Sequence, residues 1–171
     1  MGGIPISLYL SIPLLLLVAT LQSTLAPYLV VWGVKPDLML LVVVSWNLLR
    51  GTGGGVLWSA LGGLALDLFS SAPFGAITVA LFCVGSLTRV AAMNVFRLGL
   101  AIPLVAAAVA TLVYDFILLF SLHVFGRAVV WEDALLRIVV PSVFVNTLLM
   151  PAVFAGVRWI RKHTGPEQIG W

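Results

Sequence analysis

Asp67, in "GGLALDLFSSAPFG", and Asp115, in "LVYDFILL", are carboxylates set inside apolar runs. Few chemistries suit such residues. Two acids at similar depth could share a proton, as an intramembrane aspartyl protease requires. A single acid can line a proton or cation path, or it can tie helices together. The sequence places no supporting polar residue beside either aspartate, so the structural role is the favoured reading.

Other reactive patterns are missing from the sequence. "GTGGG" at 51–55 has the glycines of a phosphate loop, but no Gly-Lys-Ser/Thr follows. His123 and His163 stand alone, with no ligand spacing to another His, Cys or acid. Cys83 is the single cysteine, so no disulfide framework exists. No Gly-x-Ser-x-Gly occurs. Glu132 and Asp133 precede a helix, where acids suit the N-terminal dipole. The chain is therefore read as a non-enzyme, with no catalytic, metal or cofactor-binding residues.

Glycine spacing suggests packing. Gly51, Gly55, Ser59, Gly63 and Asp67 recur every four residues. On a 3.6-residue helix Gly55, Ser59, Gly62 and Gly63 share one broad face. Small faces let helix backbones approach closely in lipid. Asp67 then closes this helix, just before a turn at Pro73 and Gly75. The next helix begins with N–H groups that lack partners and carry partial positive charge. The expectation is that the Asp67 carboxylate accepts hydrogen bonds within residues 70–78 and ties the two helices. Asn47 and Asn146 are expected to bond between helices. Arg89 is expected to snorkel to the inner interface, and Pro151 to kink its helix.

These residues need a scaffold, and composition says which kind. The chain has 171 residues, 62% hydrophobic and 9% charged, with mean hydropathy +1.19. A soluble domain is about 25% charged, and one this small could not hide so much apolar surface. The solvent is a bilayer, and helices are the element that satisfies its own backbone there. The net charge of +3 comes with no basic, aromatic-interleaved patch, which excludes nucleic acid.

Apolar runs predict an all-α, polytopic, single-domain protein with about six transmembrane helices, at 7–31, 37–49, 55–71, 74–93, 98–122 and 135–158. A basic tail, 159–171, follows. The first segment lacks a basic lead and is too long for a signal h-region, so it reads as a retained helix. Segment 37–49 makes only about 20 Å of helix against a core of ~30 Å. It either spans with local thinning or is re-entrant. With six spans, Arg50, Arg89, Arg97, Arg158, Arg161 and Lys162 share one side. Lys35, Arg127 and Arg137 share the other. Both termini are then cytoplasmic. With five, Lys35 joins the larger group and the N-terminus moves outside. The C-terminus is cytoplasmic either way. Trp32 and Trp131 fall at outer ends, and Trp46, Trp58 and Trp159 toward inner ends, which favours six.

"KPDLMLLVVVSWNLLRG" and "GVLWSALGGLALDLFSSAPFGAITVALFCVGSL" resemble the rod shape-determining protein MreD family. The matching pieces are Pro36-Asp37 at a helix start, Arg50-Gly51, the Gly62-Gly63 pair, Asp67, and Pro73-Phe74-Gly75. The resemblance implies a small multi-pass protein of the bacterial inner membrane. It implies a non-enzymatic role in cell elongation and peptidoglycan synthesis. Its implied partners are the bitopic periplasmic protein MreC and, through it, MreB, RodA and a partner transpeptidase. The implied fold is like that of the six-helix substrate-binding components of energy-coupling-factor vitamin transporters. That kinship keeps a rival alive, a solute-binding transporter component. Its pocket would have to draw on Asp67, Asp115, Tyr114 and Asn146. Contact surfaces for a scaffold are a helix face, the loop 123–134, the tail, the lipid bilayer itself, or a second copy of the chain.

Overall fold

A computed structural model describes residues 6–25, 28, 30–50, 55–94 and 101–164. They form α1 (Ile6–Leu25), α2 (Leu38–Arg50), α3 (Gly55–Phe69), α4 (Ala76–Asn94), α5 (Ala101–Val124), α6 (Trp131–Ala134), a π-helical turn (Leu135–Val139) and α7 (Val140–Thr164). Among the described residues there is no named strand, only an isolated bridge between Val31 and Val34. The fold is all-helical.

Side-chain burial runs opposite to that of a soluble bundle. On α3, Leu57, Leu61, Leu64 and Leu68 face outward. Ser59, Gly62, Gly63 and Asp67 face inward. Val105, Val109, Leu112, Phe116 and Phe120 project from α5, and Leu148 and Phe144 from α7. Such a continuous apolar exterior is a liability in water and a solvent-matched surface in lipid. Two helices, Ala101–Val124 and Trp131–His163, are long and apolar enough to cross a membrane by themselves.

α2 is the central element. It touches α1, α3, α4, α5 and α7. Met39, Leu40, Leu41, Val43, Val44 and Ser45 are buried, and no residue from 38 to 49 is exposed. A helix wrapped by protein need not match the bilayer thickness, because its neighbours meet the lipid in its place. That accounts for a length of 13 residues.

Several helix limits differ from the apolar runs. Of the run 7–31, the described helix covers Ile6–Leu25. Val31 and Val34 instead exchange backbone hydrogen bonds of 3.0 and 3.1 Å. Trp32 (φ 52°) and Gly33 (φ 82°) form the turn between them, the paired positive φ of a type I′ turn. The runs 55–71 and 74–93 shorten to Phe69 and begin at Ala76, because the Pro73–Gly75 turn takes the residues between.

The last helical region starts at Trp131, before the 135 expected, and runs to Thr164. The tail therefore begins as helix. Within this region Pro141 lacks an N–H for the Arg137 carbonyl and would crowd it. The turn before it widens, and the Val140 N–H bonds the Leu135 carbonyl, five residues back. Pro151 lies inside α7. Trp58 is buried and stacks on Trp46 at 4.8 Å between ring centroids. That pair belongs to the α2–α3 packing and not to an interfacial belt.

Candidate functional site

Asp67 is 4% exposed and sits near the end of α3. One carboxylate oxygen, Oδ1, accepts the Ile77 N–H at 3.2 Å. The other, Oδ2, accepts the Thr78 N–H at 3.0 Å and the Thr78 hydroxyl. Ile77 and Thr78 are the second and third residues of α4, whose N–H groups have no intrahelical acceptor. Asp67 thus caps α4 from the neighbouring helix, with charge placed at the positive end of the α4 dipole.

The local sequence makes this possible in two ways. The Ala76 N–H bonds the Pro73 carbonyl at 3.0 Å, closing a tight turn. Gly75 holds φ 93° in that turn, a conformation glycine adopts without strain. The turn aims the first α4 amides back at α3. Gly63, one helical turn before Asp67, lets the backbones meet. A Cβ added there would lie 2.5 Å from the Thr78 Cα. The small-residue face therefore sets the helix separation at which Asp67 reaches its donors.

A second polar cluster gathers four helices around Asp37. Asp37 immediately precedes α2, and its Oδ1 accepts the Leu40 N–H at 3.1 Å as an N-cap. Gln22 of α1 donates to Asp37 Oδ1 at 3.0 Å and accepts the Met39 N–H at 2.7 Å. The Tyr114 side chain of α5 lies beside Asp37. The Asp37 N–H donates to Asn146 Oδ1 of α7 at 3.0 Å. Asn146 in turn donates to the Thr111 hydroxyl at 3.3 Å, which donates to the Ala107 carbonyl. Buried Pro36 precedes the cluster and sets the chain's approach to it.

A third cluster lies between α2, α3 and α4. Asn47 donates to Ser59 Oγ at 3.2 Å, and the Ser59 hydroxyl donates to the Gly55 carbonyl at 2.8 Å. Gly55 faces Asn47, and Gly85 of α4 packs directly on Ser59. Gly62 sits against Met39 and Leu15. Gly51, the first member of the four-residue ladder, and Arg97 lie outside the described residues.

Asp115 differs from the other acids. Ser142 of α7 lies beside its carboxylate, while Oδ2 is buried without a hydrogen-bond partner. Each of these aspartates thus has a polar side chain beside it that belongs to the next helix or a later one, Thr78 for Asp67 and Ser142 for Asp115. The expectation that they lack such neighbours fails for that reason. Their partners are separate, so the arrangement is two structural contacts and not a shared-proton dyad. Arg89 is exposed at its helix surface. Among the described residues no group of His, Cys, Asp and Glu could hold a metal ion.

The Asp67 donors fall within the expected residues 70–78, though the Thr78 hydroxyl was not foreseen, and Gln22 and Gly85 were missed altogether. Thr78 carried a signal, being a hydroxyl residue in the first turn after Pro-Phe-Gly. Gln22 and Gly85 carried none, because their partners are 15 or more residues away.

The family model for rod shape-determining protein MreD matches residues 5–161. The chain belongs to the MreD family. The match takes in Pro36, Asp37, Gly55, Ser59, Gly62, Gly63, Asp67, Pro73, Gly75, Asp115 and Asn146. For an MreD-family chain, apolar helices and membership together mean a membrane protein with a role in rod-shape determination. No curated protein and no solved structure matches the chain. Kinship with the vitamin-transporter components thus rests on the family resemblance alone.

Proposed function

We propose that this protein is a non-enzymatic scaffold of the cell-elongation machinery. It sits in the bacterial cytoplasmic membrane with about six spans and with both termini in the cytoplasm. It binds MreC and links it to MreB, RodA and the partner transpeptidase during peptidoglycan synthesis.

One observation carries the reading beyond family membership. The polar side chains of Asp37, Asp67, Asn47 and Asn146 are engaged in joining helices, through bonds to Gln22, Thr78, Ser59 and Thr111. A chain built this way presents a rigid surface, and its work is done by contact. The same observation weighs against a solute carrier. Asp67 and Asn146, two of the residues a polar pocket would need, are hydrogen-bonded within the bundle.

Depletion in the source cell, followed by microscopy, tests the proposal. Rod cells are expected to round and to stop elongating, and MreC is expected to co-purify with the tagged protein. Normal shape combined with a nutrient requirement would reject the scaffold and restore the transporter.

A further inference from the structure

A groove of about 850 Å3 opens where α5 ends and α6 begins. Its lining is apolar, from Leu119 of α5 to Ile138 and Pro141 at the π turn, with Arg127, Asp133 and Arg137 among its walls. Trp32 closes one side. From this groove we infer a binding site for an anionic phospholipid, with its phosphate between Arg127 and Arg137 and its acyl chains on the apolar wall.

Depth supports this occupant. Arg137 and Arg158 bracket about 20 residues of the last helical region, which is ~30 Å of helix and the thickness of the hydrocarbon core. Arg137 and the groove therefore lie where lipid phosphates lie. The apolar wall is continuous with lipid-facing side chains, since Leu135, Leu136 and Val140 flank Ile138 and are exposed.

Charge supports it as well. Two guanidiniums face one carboxylate, leaving the lining net positive. Each guanidinium has five N–H donors. Arg127 uses Nη2 on the Ser71 carbonyl at 3.2 Å. Arg137 meets Asp133 through Nε at 3.2 Å, with side chains 82% and 66% exposed. An ion pair that exposed is weak, and a phosphate can compete for the fork that guanidinium presents.

Trp32 adds an independent observation. It is the one non-glycine residue at positive φ among the described residues. Its ring is held 5.2 Å from that of Phe144 on α7. The type I′ turn fixes Trp32 at this position and presents its ring at the edge of the groove. Trp is also the side chain suited to headgroup depth.

The test uses the purified full-length protein and native mass spectrometry with phosphatidylglycerol or phosphatidylcholine. Phosphatidylglycerol is expected to be retained preferentially. Arg127→Ala combined with Arg137→Ala is expected to weaken that retention about tenfold or more. Asp133→Ala removes the competing carboxylate and is expected to strengthen it, a gain that misfolding would not produce. A photoreactive phosphatidylglycerol is expected to label peptides within 119–141. Unchanged retention in the double arginine variant overturns the site, as does labelling centred on Arg158–Lys162. Equal displacement by inorganic phosphate would make it a phosphate site and not a lipid site. A crosslinker at Ile138 that captures a protein segment in cells in place of lipid would also overturn it.

Discussion

Gly63→Ala is expected to separate α3 from α4 and to release Asp67 from its cap. The added Cβ would lie 2.5 Å from the Thr78 Cα, 3.0 Å from its N and 3.2 Å from the Ile77 carbonyl oxygen. All three are backbone atoms, which cannot rotate away. Ordinary contact begins near 3.4 Å, so the helices must part by about 0.9 Å. Overpacking of this kind costs about 1–3 kcal/mol. The same displacement carries Asp67 away from donors now at 3.2 and 3.0 Å. A charge-assisted bond contributes about 1.5–3 kcal/mol. Against this, alanine gains about 1 kcal/mol of helix propensity over glycine. The net expectation is a loss of about 1.5–5 kcal/mol. Unfolding of the purified protein in mixed micelles by added SDS measures it. Gly156→Ala on α7 is the control, since a Cβ there meets nothing within 4 Å, and it should be neutral or stabilising. Combining Gly63→Ala with Asp67→Ala should cost less than the sum of the two, because both act on one contact. If Gly63→Ala behaves like Gly156→Ala, or if the two losses simply add, the coupling between the glycine face and the aspartate cap is refuted.

Two further outcomes follow from the carboxylates. Asp67→Ala should destabilise by about 3 kcal/mol, since it strands buried donors of Ile77 and Thr78. Asp67→Asn keeps one acceptor oxygen and should lose about half as much; equal losses in the same SDS titration would count against the cap. Asp115→Asn should leave stability unchanged or raise it, because it removes charge from a carboxylate with an unpartnered buried oxygen. A large loss for that variant would mean that Asp115 holds a partner not yet recognised.

The sequence by itself determined the solvent and the element type. With 62% hydrophobic and 9% charged residues in long apolar runs without strand alternation, the chain suits helices in lipid. The sequence also marked the glycine face, the Pro73–Gly75 turn and Asp67 as one unit. Those residues lie within 25 positions, so helical periodicity groups the glycines and Asp67 and the turn follows them directly. The family was legible for the same reason, since its pattern is local.

Tertiary structure alone decided the rest. That α2 is the buried centre of the bundle does not follow from a run of apolar residues, because lipid-facing and protein-facing helices are equally apolar. The Asp37 cluster was invisible because Gln22, Tyr114, Thr111 and Asn146 come from three other helices, and Asn146 lies 109 residues from its partner. Side-chain hydrogen bonds between helices leave no periodic trace in sequence. The turn at Trp32 and the π turn before Pro141 were hidden too. In both places the backbone departs from the regular geometry that hydropathy patterns assume.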